Sequence, residues 1–168
     1  MLVFGIDPSA RRSALAVWRE GTPDTAVETY VTGPIEQLSA SPVLKGLAVN
    51  QPKVYAVIER PMWTGKAGAE TKAAANAWGR VLKATFADIE IHFVQPVSWQ
   101  SKIHVGCQGE TTKEKSVWFA RQALRMDLGG DHDRADAACV LHYARKFHMK
   151  GDRPKSSKRP KPGKEKVS

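Results

Sequence analysis

The chain has 168 residues, 42% hydrophobic and 26% charged, which is enough for one domain with a real core and too few for two. No apolar run is long enough to span a membrane, and the opening MLVFGIDPSARR lacks the basic leader and cleavage site of a signal peptide. Cys107 and Cys139 have no metal-like or redox spacing, so reduced thiols and a cytoplasmic location are expected.

The net charge is +9, unevenly spread: from Lys150 onward eight Lys or Arg accompany only two acids, so that end carries +6 and the first 149 residues +3. This balance points to an anionic polymer, above all nucleic acid. GDRPKSSKRPKPGKEKVS, residues 151–168, has almost nothing to bury and reads as a disordered basic tail behind a domain spanning 1–150.

In chain order, MLVFGID is a short apolar run ending at an acid and reads as a buried strand. SALAVWRE is its hairpin partner across a short loop, and TAVETYVT is a third strand. PIEQLSASPVLKGLAVN contains a helix that Pro42 interrupts. PKVYAVIE is a fourth strand, again ending at an acid. The alanine-rich KAGAETKAAANAWGRVLKATFAD is a helix, with Ala74, Trp78, Val81, Leu82 and Phe86 on one stripe. IEIHFVQP is a fifth strand, and PVSWQSKI is a short helix starting at Pro96. TTKEKSVWFARQALRM opens with a capping-box pattern, Thr111 and Glu114. The last helix begins near Asp133 and runs to about Met149. Three antiparallel strands followed by strand–helix–strand crossovers predict an α/β fold: a five-stranded mixed sheet with helices on both faces. Right-handed crossovers place strand four beside strand one.

That topology brings acids together. Asp7 and Glu59 end parallel neighbouring strands, at the carboxyl edge where open α/β sheets bind ligands. Asp133 and Asp136 are three residues apart and share one face of the last helix. Singly, each acid is explained as a turn residue or as a complement to the helix dipole. Together they repel unless cations hold them. An oxygen-rich, histidine-poor set suits Mg²⁺ or Mn²⁺, and two such ions clamp the attacking water and leaving oxygen of a phosphodiester.

The motifs GIDPSARRSALAV, VYAVIERPMW, ANAWGRVLKA and DRADAACVLHYA resemble, in order, the landmarks of the RuvC-type Holliday-junction resolvases. The resemblance covers most of residues 1–147. It implies an RNase H-like nuclease domain and a homodimer that nicks a four-way DNA junction in pairs. It also implies that Asp7, Glu59, Asp133 and Asp136 ligate two Mg²⁺ or Mn²⁺ ions and are catalytic. Lys115, before Ser116 and an apolar helix, matches a functional lysine of the family, with Lys113 second to it. The chain departs from the pattern at Ser9, where the family has glycine, and at Met62, where it has an aromatic; Trp63 is next in line to stack at the junction centre. These departures and the basic tail suggest a divergent, phage-encoded member.

Arg11 and Arg12, in the hairpin loop after Asp7, and Arg60, Lys66 and Lys72, around the loop after Glu59, are candidate DNA-backbone contacts with Met62, Trp63, Lys113 and Lys115. Asp131 is the expected helix cap and His132 an approach residue. Three other functions fit parts of the pattern. An RNase H-like nuclease acting on other branched DNA or structured RNA would share the carboxylates. A non-catalytic branched-DNA binding module should have lost one. An actin-type ATPase needs a second domain and glycine-rich phosphate loops that this chain lacks.

Overall fold

The computed structural model describes residues 1–50, 52–62 and 65–149. The basic tail and Trp63 lie outside the described residues. Five strands form one sheet: β1 (Leu2–Asp7), β2 (Ala14–Arg19), β3 (Val27–Val31), β4 (Val54–Glu59) and β5 (Ile89–Val94), in the order β3-β2-β1-β4-β5. The first three pair antiparallel, and β4 runs parallel to both β1 and β5. This is the mixed five-stranded sheet expected from the sequence.

Five helices accompany it: α1 (Pro42–Leu47), α2 (Lys66–Thr85), α3 (Pro96–Ile103), α4 (Thr112–Ala123) and α5 (His132–Tyr143). The segment before β4 is two elements rather than one helix. A 3-10 turn over Ile35–Ala40 ends at Ser41, and Pro42 then occupies the first turn of α1. Proline has no N–H to donate, so it is tolerated where a helix starts and not inside it. Past Tyr143 the chain continues through a π-helical turn, Ala144–His148, close to the end expected for the last helix. Among the described residues no helix is long and apolar enough to cross a membrane.

Alternation along the strands divides the core in two. Leu2, Phe4 and Ile6 of β1, Leu15 and Val17 of β2 and Ala56 and Ile58 of β4 point to one face, where α2 packs Trp78 and Leu82, followed by Phe86. Val3, Ala14, Ala16 and Val57 point to the other and meet α5. There α5 lies unusually close, because the strand presents Gly5. A Cβ on Gly5 would stand 2.6 Å from Leu141 Cα, and closer still to Leu141 N and Ala137 O. The helix answers with small residues, Ala135, Ala137, Ala138 and Cys139, all fully buried. Since α3 and α4 cover its outer side, the middle of α5, from Ala137 to Leu141, is apolar and buried all round, as a helix enclosed within a protein should be.

Candidate active site

The β1–β4 register pairs Leu2 with Val54 and Ile6 with Ile58, so the next positions, Asp7 and Glu59, stand side by side at the strand ends. Both continue the alternation on the α5 face. The N-terminus of α5 arrives over the same edge. Asp131 is its cap, accepting a hydrogen bond from Arg134 N at 3.2 Å as expected, and the helix starts one residue earlier than expected, at His132. Asp133 and Asp136 follow on one face.

The charges of these groups are felt mutually. Burial, then the negative charges of Glu59, Asp136 and Asp133, push the Asp7 carboxyl well above the ordinary carboxylate value, with Lys113 opposing. Burial also lifts Glu59 to about 7, Asp136 adding to it and a hydrogen bond from Trp99 opposing it. Asp136 is raised to about 6, again chiefly by burial, with Asp133 adding and Ser116, Lys113 and His132 opposing. Three carboxyls that resist ionisation in one crevice form a strongly electronegative site.

Asp133 stands apart from the other three. Its carboxylate pairs with the Arg12 guanidinium, which also bridges to Asp131. Burial would raise Asp131, but the bonds from Arg12 and from Arg134 N hold it below its ordinary value. The hairpin loop carrying Arg12 is pinned by Ser13, whose hydroxyl donates to Ser9 O and accepts from Ser9 N, both at 2.9 Å. Among the described residues no three carboxylate, imidazole or thiolate groups already converge into a ligand cage. The donors nevertheless fit a hard divalent cation: all are oxygens, and the repulsion that lifts their proton affinities is what a bound cation relieves. Arg12 holds Oδ2 of Asp133, and its Oδ1 has no such partner among the described residues.

The two candidate lysines differ in placement. The charge of Lys113 is felt by Asp7 and Asp136, whose proton affinities it lowers. The charge of Lys115 is felt instead by His104 and Cys107. Of the remaining candidates, Arg11 and Lys66 are exposed, at the hairpin loop and at the start of α2. Arg60 lies over the Phe93 ring, 5.4 Å from its centroid, and Lys72 Nζ donates to Met62 O at 3.3 Å. Met62, 68% exposed, projects where the loop leaves β4.

Two residues of the site carry little sign of it in sequence. Trp99, on α3, is buried, and its indole N–H donates to Glu59 Oε2 at 2.7 Å. Ser116, on α4, is fully buried; its hydroxyl lies 3.0 Å from His104 Nε2 and it holds down the proton affinity of Asp136. The helical pattern marks Trp99 as core, which it is. The clue to its second task is that a buried indole N–H needs an acceptor.

No family model matches the sequence, and no curated protein does. Solved structures do match. Thermus thermophilus RuvC in complex with a Holliday junction substrate aligns with 90% of this chain and 96% of its own, at TM-score 0.67 and 15% identity. A second Thermus thermophilus RuvC structure aligns with 86% of this chain and 96% of its own, at TM-score 0.60 and 21% identity. The fold is that of the RuvC-type resolvases. Fowlpox virus resolvase, bound to Holliday junction DNA, aligns with 84% of this chain and 95% of its own, at TM-score 0.51 and 11% identity. Such low identities suit a divergent sequence on this RNase H-like fold.

Proposed function

We propose that the protein is a Mg²⁺-dependent, structure-specific endonuclease that resolves four-way DNA junctions by paired nicks. The observation carrying this reading is the convergence of Asp7, Glu59 and the first turn of α5 in one charge-coupled crevice, on a resolvase fold. Asp7, Glu59, Asp133 and Asp136 are the residues that would hold two Mg²⁺ or Mn²⁺ ions. Such ions, when bound, promote ionisation of a water and neutralise charge on the departing oxygen.

The chain's own groups supply the rest. Asp7 and Glu59, fixed by paired strands, define the floor against which the scissile phosphate must lie. Lys115, which matches the family's lysine, or Lys113, whose charge reaches Asp7 and Asp136, would offset the extra negative charge on the phosphate as water attacks. Attack on phosphorus breaks the bond to the 3′ oxygen, leaving a 5′-phosphate and a 3′-hydroxyl. Arg12 holds Asp133 until a cation competes for it. A two-fold symmetric junction requires two matched sites, hence a homodimer. Arg11, Arg60, Lys66 and the basic tail add salt-sensitive backbone affinity, and Met62 or Trp63 reaches the junction centre.

The test is cleavage of an end-labelled four-way junction, a flap and a linear duplex, each with Mg²⁺. Cutting confined to the junction supports the proposal. Survival of all three despite tight junction binding would end the nuclease reading, and faster cutting of structured RNA would redirect it.

A further inference from the structure

A line of side chains outside the crevice runs from Glu59, at the end of β4, back to α4. Glu59 Oε2 accepts from Trp99 Nε1 at 2.7 Å. The Trp99 ring meets the His104 ring edge-on, with centroids 5.1 Å apart and planes at 81°. His104 Nε2 lies 3.0 Å from Ser116 Oγ. Ser116 is fully buried on α4, the helix packed against α5. Trp99 belongs to α3, His104 caps its C-terminus, and Ser116 lies in the first half of α4. None of the three is among the proposed ligands.

We infer that Trp99, His104 and Ser116 form a positioning chain that sets Glu59 in the orientation needed to hold a divalent cation. This rests on the reading of the site as a cation-dependent nuclease centre.

The hydrogen-bond polarity follows from the groups themselves. The Trp99 N–H only donates, so that bond runs to Glu59. Burial and the nearby Lys115 charge hold His104 below its ordinary proton affinity, which suits a neutral ring. A neutral ring and the Ser116 hydroxyl share one hydrogen bond. Glu59 thus has one oxygen direction occupied by a fixed donor, leaving the other directions for the crevice. Trp99 and Ser116 are both essentially sealed from solvent, so water does not compete for these bonds. Outer partners of this kind orient ligands and tune their affinity.

The experiment measures Mn²⁺ affinity of the full-length protein by electron paramagnetic resonance, without DNA. Trp99→Phe keeps the ring and removes the donor; Ser116→Ala removes the hydroxyl. Each should weaken Mn²⁺ binding about 10- to 100-fold, the usual range for such partners. His104→Phe should weaken it too, whereas His104→Gln, which retains an amide donor, should recover most of the affinity. Trp118→Phe, on the outer side of α4, should bind as the wild type does. Junction affinity measured in Ca²⁺ should stay within about twofold throughout, which a general loosening of α3 and α4 would not permit.

Unchanged Mn²⁺ affinity in folded Trp99→Phe and Ser116→Ala would overturn the inference, as would equal losses in His104→Phe and His104→Gln. If Trp99→Phe does not fold, Ser116→Ala and the His104 pair decide alone. A wild type that binds Mn²⁺ through this chain yet cuts no junction would sink the proposed activity and leave the positioning chain standing.

Discussion

The two faces of the sheet are built on opposite principles. On the α2 face large side chains interlock: Trp78, Leu82 and Phe86 against Phe4 and Leu15, with the Phe4 and Phe86 rings edge-on at 5.6 Å. On the α5 face Gly5, Ala14 and Ala16 meet Ala137, Ala138 and Cys139, and the helix backbone rests almost on the strand. The second gives up side-chain volume for proximity, and proximity is what delivers Asp136 to Asp7. The difference separates stability from site geometry, and mutations can test the separation.

The largest effect is expected at Gly5. Gly5→Ala drives a methyl into the α5 backbone and should destabilise by at least about 3 kcal/mol, read as a fall in the urea midpoint. Any protein that folds should have lost Mn²⁺ affinity, because α5 must lift. Leu82→Ala, on the other face, should cost about 2–5 kcal/mol through its cavity yet leave Mn²⁺ affinity unchanged. Equal loss of metal binding in both variants would dissolve the distinction between the faces.

A smaller effect, of opposite sign, comes from the acids. Glu59 takes up protons at about 7 in the folded state, above its ordinary value of 4.5. Its raised affinity stabilises the fold fully below the unfolded value, and that contribution is lost as pH rises through about 7. Without metal, Glu59→Gln should therefore be more stable than the wild type at pH 9, by roughly 2 kcal/mol. The gap should close by pH 4 and shrink on adding Mg²⁺. Thermal melts across that range check it; a gap that is independent of pH would contradict it.

The smallest effect belongs to Arg12. Its pairs with Asp131 and Asp133 are partly exposed and should contribute only about 0.5–1 kcal/mol. Removing Arg12 frees Asp133, so Arg12→Gln should lower the Mg²⁺ concentration for half-maximal cleavage while barely moving the melting temperature.

These expectations also show what the sequence carried. Apolar runs ending in Asp7 and Glu59, and the i, i+3 spacing of Asp133 and Asp136, were legible because strand and helix periods are local properties. The sheet order followed from crossover handedness. Pro42 marked a break, but its role as the start of α1 depended on the turn before it. Lys115 fits the family pattern, and the charge of Lys113 is the one felt by Asp7 and Asp136, a difference set by how α4 packs on α5 rather than by local sequence. The pairing of Arg12 with Asp133 spans most of the chain and leaves no local mark. Neither does Ser116, a buried hydroxyl whose partner lies on another helix.

The most direct test uses a four-way junction labelled on each strand in turn, incubated with Mg²⁺ and resolved on a denaturing gel. The wild type should produce nicks symmetrically paired across the junction, and Asp7→Asn should bind the junction without nicking it. Nicking by Asp7→Asn at the wild-type rate would place the catalytic centre elsewhere, and an intact junction under saturating wild-type protein would contradict the account outright.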